Sequence, residues 1–368
     1  MSKSYRSLGL MSGTSADGVD ASIIQSDGDT EYEVILDKYF KYSQNIYENI
    51  HNLKNEINDS RDLKNLSKKL QSLEKEITLF HANAVNEVIK KSKLNIDFVG
   101  FHGQTIFHNA KEKISKQLGD GKLLSKLTKK TVIYDFRKND LKNGGHGAPL
   151  TPIFHKLLKM KFKIKDITFV NIGGIVNTTT ILNEGNMSGT DIGPGMCLID
   201  RWVRQKSKKN YDENGIIAKS GRVNKIVLNQ LLENFYEKEN ILSAGATQSF
   251  DTKYFDFSFA KELSLEDGTA TLTEFTAQII ISAIKSTERY KEKIILCGGG
   301  RKNNFLVEKL KEKITRIKLI DEYKVDGDFV ESQAFAYLAI RTYLKLPISF
   351  PETTGVDKPC TGGIIIKN

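Results

Sequence analysis

Short apolar runs separated by small polar turns dominate the first forty residues of the chain. The runs at 5–11, 19–25 and 33–40 predict three strands, and such tight connections make the strands antiparallel. From residue 63 the apolar spacing changes to three and four, which predicts one helix face; its members are Leu63, Leu66, Leu70, Leu73, Ile77, Phe80, Ala84 and Val88. A coiled-coil seam has a similar spacing, but a single run inside a globular chain favours a helix packed on a sheet.

The same order of elements then repeats along the chain. The pattern predicts strands at 98–101, 131–134, 167–172, 176–182 and 293–297, and helices near 151–161, 223–236, 272–290 and 305–314. Thr271 to Glu274 has the spacing of a capping box at the start of a helix. A last strand at 363–366 is expected to return to the first lobe. We therefore predict two α/β lobes, residues 1–133 plus 346–368 and residues 134–345, with a ligand cleft between them.

Composition and charge fit an ordinary globular protein. The chain has 368 residues, 39% hydrophobic and 27% charged, enough for one large or two medium domains. Its net charge of +10 comes mainly from lysines scattered on polar faces, with no interleaved aromatic residues. A lysine-rich surface is therefore favoured over nucleic-acid binding, and it would attract anionic substrates.

Several classes of protein are disfavoured by missing motifs. The three cysteines are far apart and fit neither a disulfide framework nor a metal site. There is no GxGxxG, GxxxxGK[ST], HExxH or GxSxG motif, and no HRD and DFG pair. No signal-like or membrane-spanning apolar run is present, so we expect a cytoplasmic protein.

Three glycine-rich segments are candidate ligand loops. The segment after the first strand has the backbone N–H groups and hydroxyls that suit phosphate, although Asp17-Gly18 could equally make a plain turn; it comprises Gly13, Thr14, Ser15, Ala16, Asp17, Gly18, Val19 and Asp20. A second loop is predicted at 189–195, where Asp191 is a candidate general base or, alternatively, an Asx-turn former. The third, 298–300, lies between a strand and a helix, where N–H donors favour anions.

The order of these motifs resembles the anhydro-N-acetylmuramic acid kinase family over essentially the whole chain. The resemblance rests on the segments at 9–20, 101–105, 135–140, 144–150, 171–175, 191–195, 297–303 and 331–338, which read GLMSGTSADGVD, FHGQT, DFRKND, GGHGAPL, NIGGI, DIGPG, CGGGRKN and ESQAFAYL. It implies the two-lobed actin/hexokinase/Hsp70 ATPase fold with an active-site cleft between the lobes, a homodimer, and a role in peptidoglycan recycling.

The resemblance also implies site residues. Asp191 would be the catalytic base; ATP would contact the first loop and Gly173, Gly193, Gly195, Gly298, Gly299, Gly300 and Asn303; and the sugar would contact His102, Gln104, Arg137 and Glu331. Mg²⁺ would be carried mainly by the ATP phosphates, with no protein ligand assigned. The partners implied are the anhydro sugar and ATP, with no nucleic acid or membrane.

The implied reaction opens the internal acetal of the sugar while phosphorylating it. Water activated by Asp191 attacks the anomeric carbon, and the departing O6 takes the γ-phosphoryl group of ATP. Arg137 suits an anionic lactyl carboxylate, or alternatively an ion pair with Asp135 or Asp140. Glu331 is expected at the start of a helix, where the helix dipole favours an acid.

The sequence departs from the family pattern at His146, Ile192, Met196 and the segment 245–255. These changes leave open a kinase for another anhydro sugar such as levoglucosan. A further alternative is a sugar-independent ATPase or interaction module of the same fold, although the chain has no room for an added peptide-binding domain.

Overall fold

A computed structural model describes residues 3–183, 185–242, 255–286 and 292–368 of the chain. The strands of these residues are β1 (Tyr5–Ser12), β2 (Gly18–Ser26), β3 (Tyr32–Lys41), β4 (Phe98–Asn109), β5 (Ile114–Leu118), β6 (Thr131–Tyr134), β7 (Ile167–Ile172), β8 (Ile175–Ile181), β9 (Met187–Pro194), β10 (Lys293–Cys297), β11 (Ile317–Leu319) and β12 (Ile364–Ile366). The α-helices are α1 (Gln44–Glu56), α2 (Asp62–Asn65), α3 (Ser67–Ser92), α4 (Gly121–Thr128), α5 (Lys138–Lys142), α6 (Pro152–Phe162), α7 (Cys197–Lys206), α8 (Ile216–Ser220), α9 (Lys225–Leu242), α10 (Leu265–Ser286), α11 (Asn304–Lys313), α12 (Val330–Tyr343) and α13 (Pro351–Thr354). Short 3-10 helices lie at Glu213–Gly215, Ser258–Ala260, Gly299–Lys302 and Ile320–Tyr323.

The chain forms two compact units, and the first comprises Met1–Lys161 and Phe329–Asn368. Its sheet has the order β12-β6-β4-β1-β2-β3, with β5 beside β4. β1, β2 and β3 pair antiparallel, as the tight turns predicted, while β4 and β6 run parallel to β1. β12 pairs antiparallel with β6, so the C-terminal segment returns to the first unit, as expected.

The second unit, Phe162–Asp328, repeats this topology. Its sheet has the order β11-β10-β7-β8-β9, with β7, β8 and β9 antiparallel and β10 and β11 parallel to β7. Apart from β5 and β12, the first sheet has the same order and the same strand directions. The duplicated mixed sheet is the arrangement of the actin/hexokinase/Hsp70 ATPase fold and confirms the predicted fold class.

The long helix α3 belongs to the core of the first unit. Leu70, Leu73, Ile77, Val85 and Val88 are buried on one face, in a cluster that includes residues of β1, β2 and β4. The helix therefore packs on a sheet and is not a coiled-coil strand, as the single run of apolar spacing favoured.

The helix α12 is almost wholly buried, because two glycines let it approach the centre of the first sheet. Twelve of its 14 residues are buried. A Cβ atom on Gly9 of β1 would lie 1.9 Å from the Ser332 carbonyl oxygen, and one on Gly100 of β4 would lie 2.3 Å from the Phe335 carbonyl oxygen. Backbone thus meets backbone where any larger residue would push the helix away.

The unit boundaries differ from those predicted at 133/134 and 345/346. Residues 134–161 and α12 belong to the first unit, although the prediction assigned both to the second. The physical reason for α12 is its packing on β1, β2 and β4, which apolar spacing along one segment cannot reveal.

Two local predictions were wrong. Residues 187–194 form the strand β9, whereas a loop was predicted over 189–195. Thr271 does not cap a helix, because α10 begins six residues earlier, at Leu265, and the Thr271 hydroxyl donates to the Asp267 carbonyl oxygen inside it. Four threonines at 269, 271, 273 and 276 make this stretch look less helical than it is.

Two further expectations concerned the cysteines and the helices: no disulfide framework and no membrane-spanning segment. Cys197, Cys297 and Cys360 are all free thiols. No helix of the described residues has both the length and the apolar character that crossing a bilayer requires.

Gly9→Ala is expected to destabilise the first unit, because the added methyl group would overlap the backbone of α12. Overpacking of a core typically costs about 1–3 kcal/mol, and a clash with buried backbone favours the upper end of that range. The urea midpoint of the variant should fall accordingly. Gly13→Ala is the matched control: its Cβ would meet only the Ser15 hydroxyl, at 3.9 Å, so its midpoint should barely change. Equal losses in both variants would contradict the close approach of α12.

Candidate active site

The loop between β1 and β2 is longer than a two-residue hairpin turn, and polar groups fix its conformation. Ala16 is buried with φ of 54°, and its N–H donates to the Gly13 carbonyl oxygen at 3.2 Å. The Asp17 carboxylate accepts hydrogen bonds from the Ser15 hydroxyl at 2.5 Å and the Tyr39 hydroxyl at 3.1 Å. Burial and the charge of Asp17 raise the pKa of Tyr39, so the phenol keeps its proton to donate. The loop is an ordered element and not a plain Asp-Gly turn.

Gln104 on β4 makes a hydrogen bond to this loop through its side-chain amide. It is fully buried; its amide nitrogen donates to the Gly13 carbonyl oxygen at 3.0 Å, and its oxygen accepts from the Ser12 hydroxyl at 2.6 Å. Ser12 and Gln104 are register partners of the parallel strands β1 and β4. Both ends of the amide are therefore occupied within the chain, which favours a positioning role over the sugar contact implied by the resemblance.

His102, also on β4, holds Arg137. The imidazole Nδ1 is 2.8 Å from the Gly103 carbonyl oxygen, and Nε2 is 2.9 Å from Arg137 Nη2. Because a carbonyl only accepts and a guanidinium only donates, Nδ1 carries the proton and Nε2 is the acceptor. Burial, together with the charge of Arg137, lowers the pKa of His102 well below its usual range, so the ring is neutral. Arg137 Nη1 also donates to the Gly147 carbonyl oxygen at 3.0 Å.

The two carboxylates considered as alternative partners of Arg137 have other contacts. Asp135 lies 3.7 Å from the Lys138 ammonium group. Asp140 is buried and accepts from the Gly147 N–H and the Thr354 hydroxyl, both at 2.6 Å. These contacts make Asp140 a support of the loop after α5.

In the second unit, Asp191 lies at a β-bulge of β9. Asp191 faces Asn177 of β8 in the strand register, whereas Gly193 faces Val176, so Ile192 is the extra residue of the bulge. Bulges re-aim the neighbouring side chain and are frequent next to active sites. The strand end is tied to the turn after β7, because the N–H groups of residues 195 and 196 donate to the carbonyl oxygens of Gly174 and Gly173, at 3.0 and 2.9 Å.

The glycine turn after β10 is fixed by a buried arginine. Arg301, only 4% exposed, donates to the Gly298 carbonyl oxygen at 3.1 Å and to the carboxylates of Asp321 and Asp328 at 2.7 and 2.6 Å. Burial alone would lower the pKa of Arg301, but hydrogen bonds to these two carboxylates outweigh it and raise the pKa. The turn is thereby fixed relative to residues 321–328.

Asn303, implied as a nucleotide contact, caps the helix α11. Its side-chain oxygen accepts from the Leu306 N–H at 3.0 Å. The amide nitrogen of Asn303 is buried and has no hydrogen-bond partner among the described residues. One end of the side chain thus caps the helix, while the other is buried and has no partner among the described residues.

Three glycines that the resemblance assigns to ATP face open space, in contrast to most described glycines. A Cβ on Gly13 or Gly173 would meet only one atom within 4 Å, at 3.9 and 3.4 Å respectively, and one on Gly299 would meet none. By comparison, a Cβ on Gly18 would lie 2.4 Å from the Phe40 carbonyl oxygen, so packing against β3 explains that glycine. Packing does not explain why Gly13, Gly173 and Gly299 are glycines, whereas close approach of a ligand to the backbone does.

The sequence-predicted residues gather at the carboxyl ends of the parallel strands within each unit. In the first unit the loop follows β1, His102 and Gln104 lie on β4, and Arg137 follows β6. In the second, Gly173 follows β7 and Gly298 follows β10, where a Cβ on Gly298 would lie 2.3 Å from the Asn171 side-chain oxygen. Glu331 is in the first turn of α12, as expected. Ligands of open α/β sheets bind at this edge.

The departures from the family pattern fall mostly on packing positions. Ile192 is buried in the apolar core of the second unit, and Met196 packs against that core. His146 is half-buried, and its N–H donates to the Thr354 carbonyl oxygen at 2.7 Å. Residues 245–254 of the divergent segment lie outside the described residues; Phe255 is buried and its carbonyl oxygen accepts from Arg201 at 3.0 Å.

Sequence reasoning missed three residues that support the loops: Arg301, His51 and Lys54. Arg301 belongs to the segment CGGGRKN at 297–303, but the resemblance gave it no role. His51 and Lys54 of α1 contact the carbonyl oxygens of Ser15 and Thr14, at 3.0 and 3.1 Å. Nothing in their local sequence indicates a contact with a loop more than thirty residues away, although their spacing of three places both on one helix face.

Comparison with known proteins gives consistent results. The family model described as anhydro-N-acetylmuramic acid kinase matches residues 5–368. The anhydro-N-acetylmuramic acid kinase of Pelagibacter ubique is 54% identical, with 100% of both chains covered. That of Rhizobium johnstonii is 38% identical, with 97% of both chains covered.

Likeness to solved structures is much more distant. The activator of 2-hydroxyisocaproyl-CoA dehydratase from Clostridium difficile, with bound ADPNP, is 12% identical, with 91% of this chain and 94% of that chain covered and a TM-score of 0.43. So low a score carries no argument about this chain. The full-length family match and the identity to relatives do, and they confirm the predicted kinase: the chain belongs to the anhydro-N-acetylmuramic acid kinase family.

Proposed function

We propose that the chain converts 1,6-anhydro-N-acetylmuramic acid, water and ATP into N-acetylmuramic acid 6-phosphate and ADP. The family membership supports the reaction. The observation that carries the site is the set of three glycines with open Cβ positions: Gly13 in the first loop, Gly173 in the turn after β7, and Gly299 in the turn after β10. In this proposal the loop of residues 13–20 binds the phosphates of ATP. Gly173, Gly193 and Gly195 form the second phosphate contact, and Gly298, Gly299, Gly300 and Asn303 line the nucleoside site.

Asp191 is the proposed general base. Its carboxylate takes a proton from water, the water oxygen bonds to the anomeric carbon, and the C1–O6 bond breaks. The O6 oxygen then takes the γ-phosphoryl group, and ADP leaves with the bridging oxygen. The phosphoryl group captures the leaving oxygen, so no separate acid is required. General-base assistance contributes about 10²–10⁴ in rate, and alignment of the reactants supplies the remainder.

Mg²⁺ is the proposed metal, held mainly by the ATP phosphates. Among the described residues no group of three or more histidine, cysteine or acidic side chains could enclose a cation. The proposal assigns Mg²⁺ no protein ligand, because this ion is commonly held by substrate phosphates and water with few protein ligands. When bound, it would neutralise charge on the phosphates.

Arg137 is the proposed contact for the lactyl carboxylate of the sugar. His102 and the Gly147 carbonyl oxygen already orient its guanidinium group. We propose that Glu331 contacts a sugar hydroxyl and that His102 and Gln104 act on the sugar indirectly, because their polar atoms have partners within the chain. A homodimer, a cytoplasmic location and a role in peptidoglycan recycling remain part of the proposal.

Two other functions compete with this one. A kinase for another anhydro sugar such as levoglucosan would keep Asp191 and the loops but would not need Arg137. A sugar-independent ATPase would hydrolyse ATP at the same rate with and without sugar. The experiments below separate these functions.

Asp191→Asn is expected to lower kcat by about 10²–10⁴, because an amide cannot accept the proton of water. Nucleotide affinity, measured by calorimetry with a non-hydrolysable ATP analogue, should stay within about twofold. Asp29→Asn makes the same substitution at an exposed carboxylate of the first unit and is the matched control. Turnover near the original rate in Asp191→Asn would remove this residue from the catalytic role.

Reaction in ¹⁸O-water tests the coupling of acetal opening to phosphorylation. With MgATP and 1,6-anhydro-N-acetylmuramic acid, mass spectrometry should find one ¹⁸O at the anomeric hydroxyl of the 6-phosphate product, since water attacks that carbon. Because anomeric hydroxyls exchange with water, the product is trapped early and compared with unlabelled product held in ¹⁸O-water. Label confined to inorganic phosphate would instead identify simple ATP hydrolysis.

Arg137→Met should distinguish the sugar substrates. Loss of a hydrogen bond to a charged group costs about 1.5–3 kcal/mol, so kcat/KM for 1,6-anhydro-N-acetylmuramic acid should fall about 10- to 150-fold. The value for 1,6-anhydro-N-acetylglucosamine, which lacks the lactyl group, should change much less. Lys138→Met, which removes a neighbouring exposed cation, is the control. Equal losses for both sugars would mean that Arg137 does not bind the carboxylate.

A further inference from the structure

Three consecutive carbonyl groups of the β1–β2 loop each accept a hydrogen bond from a side chain outside the loop. Gln104 Nε2 donates to the oxygen of Gly13 at 3.0 Å and Lys54 Nζ to that of Thr14 at 3.1 Å. His51 Nε2 lies 3.0 Å from the oxygen of Ser15, and since a carbonyl only accepts, this nitrogen is the donor. The side chains from outside the loop therefore hold it through its carbonyl acceptors.

The contacts that hold these carbonyl groups also fix the directions of the N–H groups that follow them in the chain. In a planar trans peptide the C=O of one residue and the N–H of the next point in opposite directions. Fixing the carbonyls of Gly13 and Thr14 therefore directs the N–H groups of Thr14 and Ser15 away from Gln104 and Lys54. Thr14 and Ser15 are exposed, and the Cβ direction of Gly13 is open. Successive N–H groups that face open space are what an anion needs.

The side chains that make these contacts come from rigid elements. Gln104 lies on the central strand β4. His51 and Lys54 lie on α1 next to its buried face, which includes Ile46, Ile50 and Leu53. The His51 ring also packs on Tyr47, with ring centroids 4.3 Å apart. A helix fixed by its core face can therefore set the position of a loop that lacks secondary structure of its own.

We propose that Lys54, His51 and Gln104 are positioning residues for nucleotide phosphates. Gln104 and Lys54 orient the N–H groups of residues 14 and 15 toward the phosphates, and His51 fixes the next peptide, whose Ala16 N–H turns back to the Gly13 carbonyl oxygen. The inference rests on the proposed function, since it requires that the loop bind phosphate. It differs from that function in assigning a role to α1, and in giving Gln104 a role toward the nucleotide in place of the sugar.

The test is nucleotide binding by the full chain, measured by calorimetry with the Mg²⁺ complex of a non-hydrolysable ATP analogue. Lys54→Met keeps the apolar stem but removes the donor and should raise Kd about 10-fold, as expected for a hydrogen bond to a charged donor. His51→Phe keeps the ring and should raise Kd about 3- to 10-fold. Lys54→Arg keeps a donor and should restore most of the affinity. Lys69→Met, which removes only the contact with Glu56, is the matched control.

Two further measurements separate positioning from other effects. Adenosine, which has no phosphate, should bind all variants equally. In steady-state assays KM for ATP should rise in Lys54→Met and His51→Phe, while KM for the sugar stays constant. If these residues had only a structural role, the variants would lose thermal stability without a rise in KM that is confined to ATP.

The outcomes distinguish this inference from the proposed function. If both α1 variants fold and bind the ATP analogue like the original chain, the positioning role is wrong and the kinase function is unaffected. If adenosine binding falls as much as analogue binding, the loss is not specific to phosphate and the inference is also wrong. If the original chain itself fails to bind the analogue, the proposed nucleotide site is wrong, and the positioning role with it.

Discussion

The contact of α12 with β1 and β4 is the constraint on which the first unit depends. Gly9 and Gly100 let the helix backbone approach the two strands that carry the loop and the His102–Gln104 segment. The same helix places Phe335 against His102, with ring centroids 4.5 Å apart. His102 in turn accepts from Arg137. The close approach at Gly9 and Gly100 therefore affects the position of the Arg137 guanidinium group through three contacts. These are the strands with α12, Phe335 with His102, and His102 with Arg137.

Burial explains how the polar groups of this edge keep a single arrangement. A buried polar atom without a partner costs about 1–3 kcal/mol, so each arrangement that leaves one unpaired is disfavoured. Gln104 uses both ends of its amide, and His102 both ring nitrogens, in contacts that only one rotamer or tautomer satisfies. Because burial keeps His102 neutral, its acceptor role toward Arg137 does not change near neutral pH. The side chains of Gln104, His102 and Arg137 are therefore preorganised without a ligand.

Much of the fold could be predicted from the sequence, and the failures have physical causes. Strands such as 167–172 and the helical face from Leu63 to Val88, which α2 and α3 divide between them, were predicted because the periodicity of burial is local. The strand β9 was not, because its Gly189, Gly193 and Pro194 have low strand propensity, and its stability comes from non-local pairing with β8 and packing of Ile192 in the core. The unit to which α12 belongs was missed, because contacts with Gly9 and Gly100 join residues more than two hundred positions apart. For the site, motif order identified the loops, whereas Lys54 and His51 required the three-dimensional contacts of α1.

The duplicated topology gives a reason for the difference between the two glycine-rich hairpins. β1 and β2 of the first sheet correspond to β7 and β8 of the second, so the counterpart of the long loop is the two-residue turn Gly173-Gly174. The turn needs no support from distant side chains, because the strand end at Gly195 bonds directly to it. The longer loop presents more N–H groups, and the strand end after β3 bonds to only one end of it, through the Tyr42 N–H and the Asp17 carbonyl oxygen at 2.9 Å. Side chains from α1 and β4 hold the carbonyls of Gly13, Thr14 and Ser15. On this argument the chain uses one topology twice but fixes the backbone in two ways: by main-chain bonds alone at the turn next to Asp191, and by main-chain bonds together with side-chain donors at the β1–β2 loop.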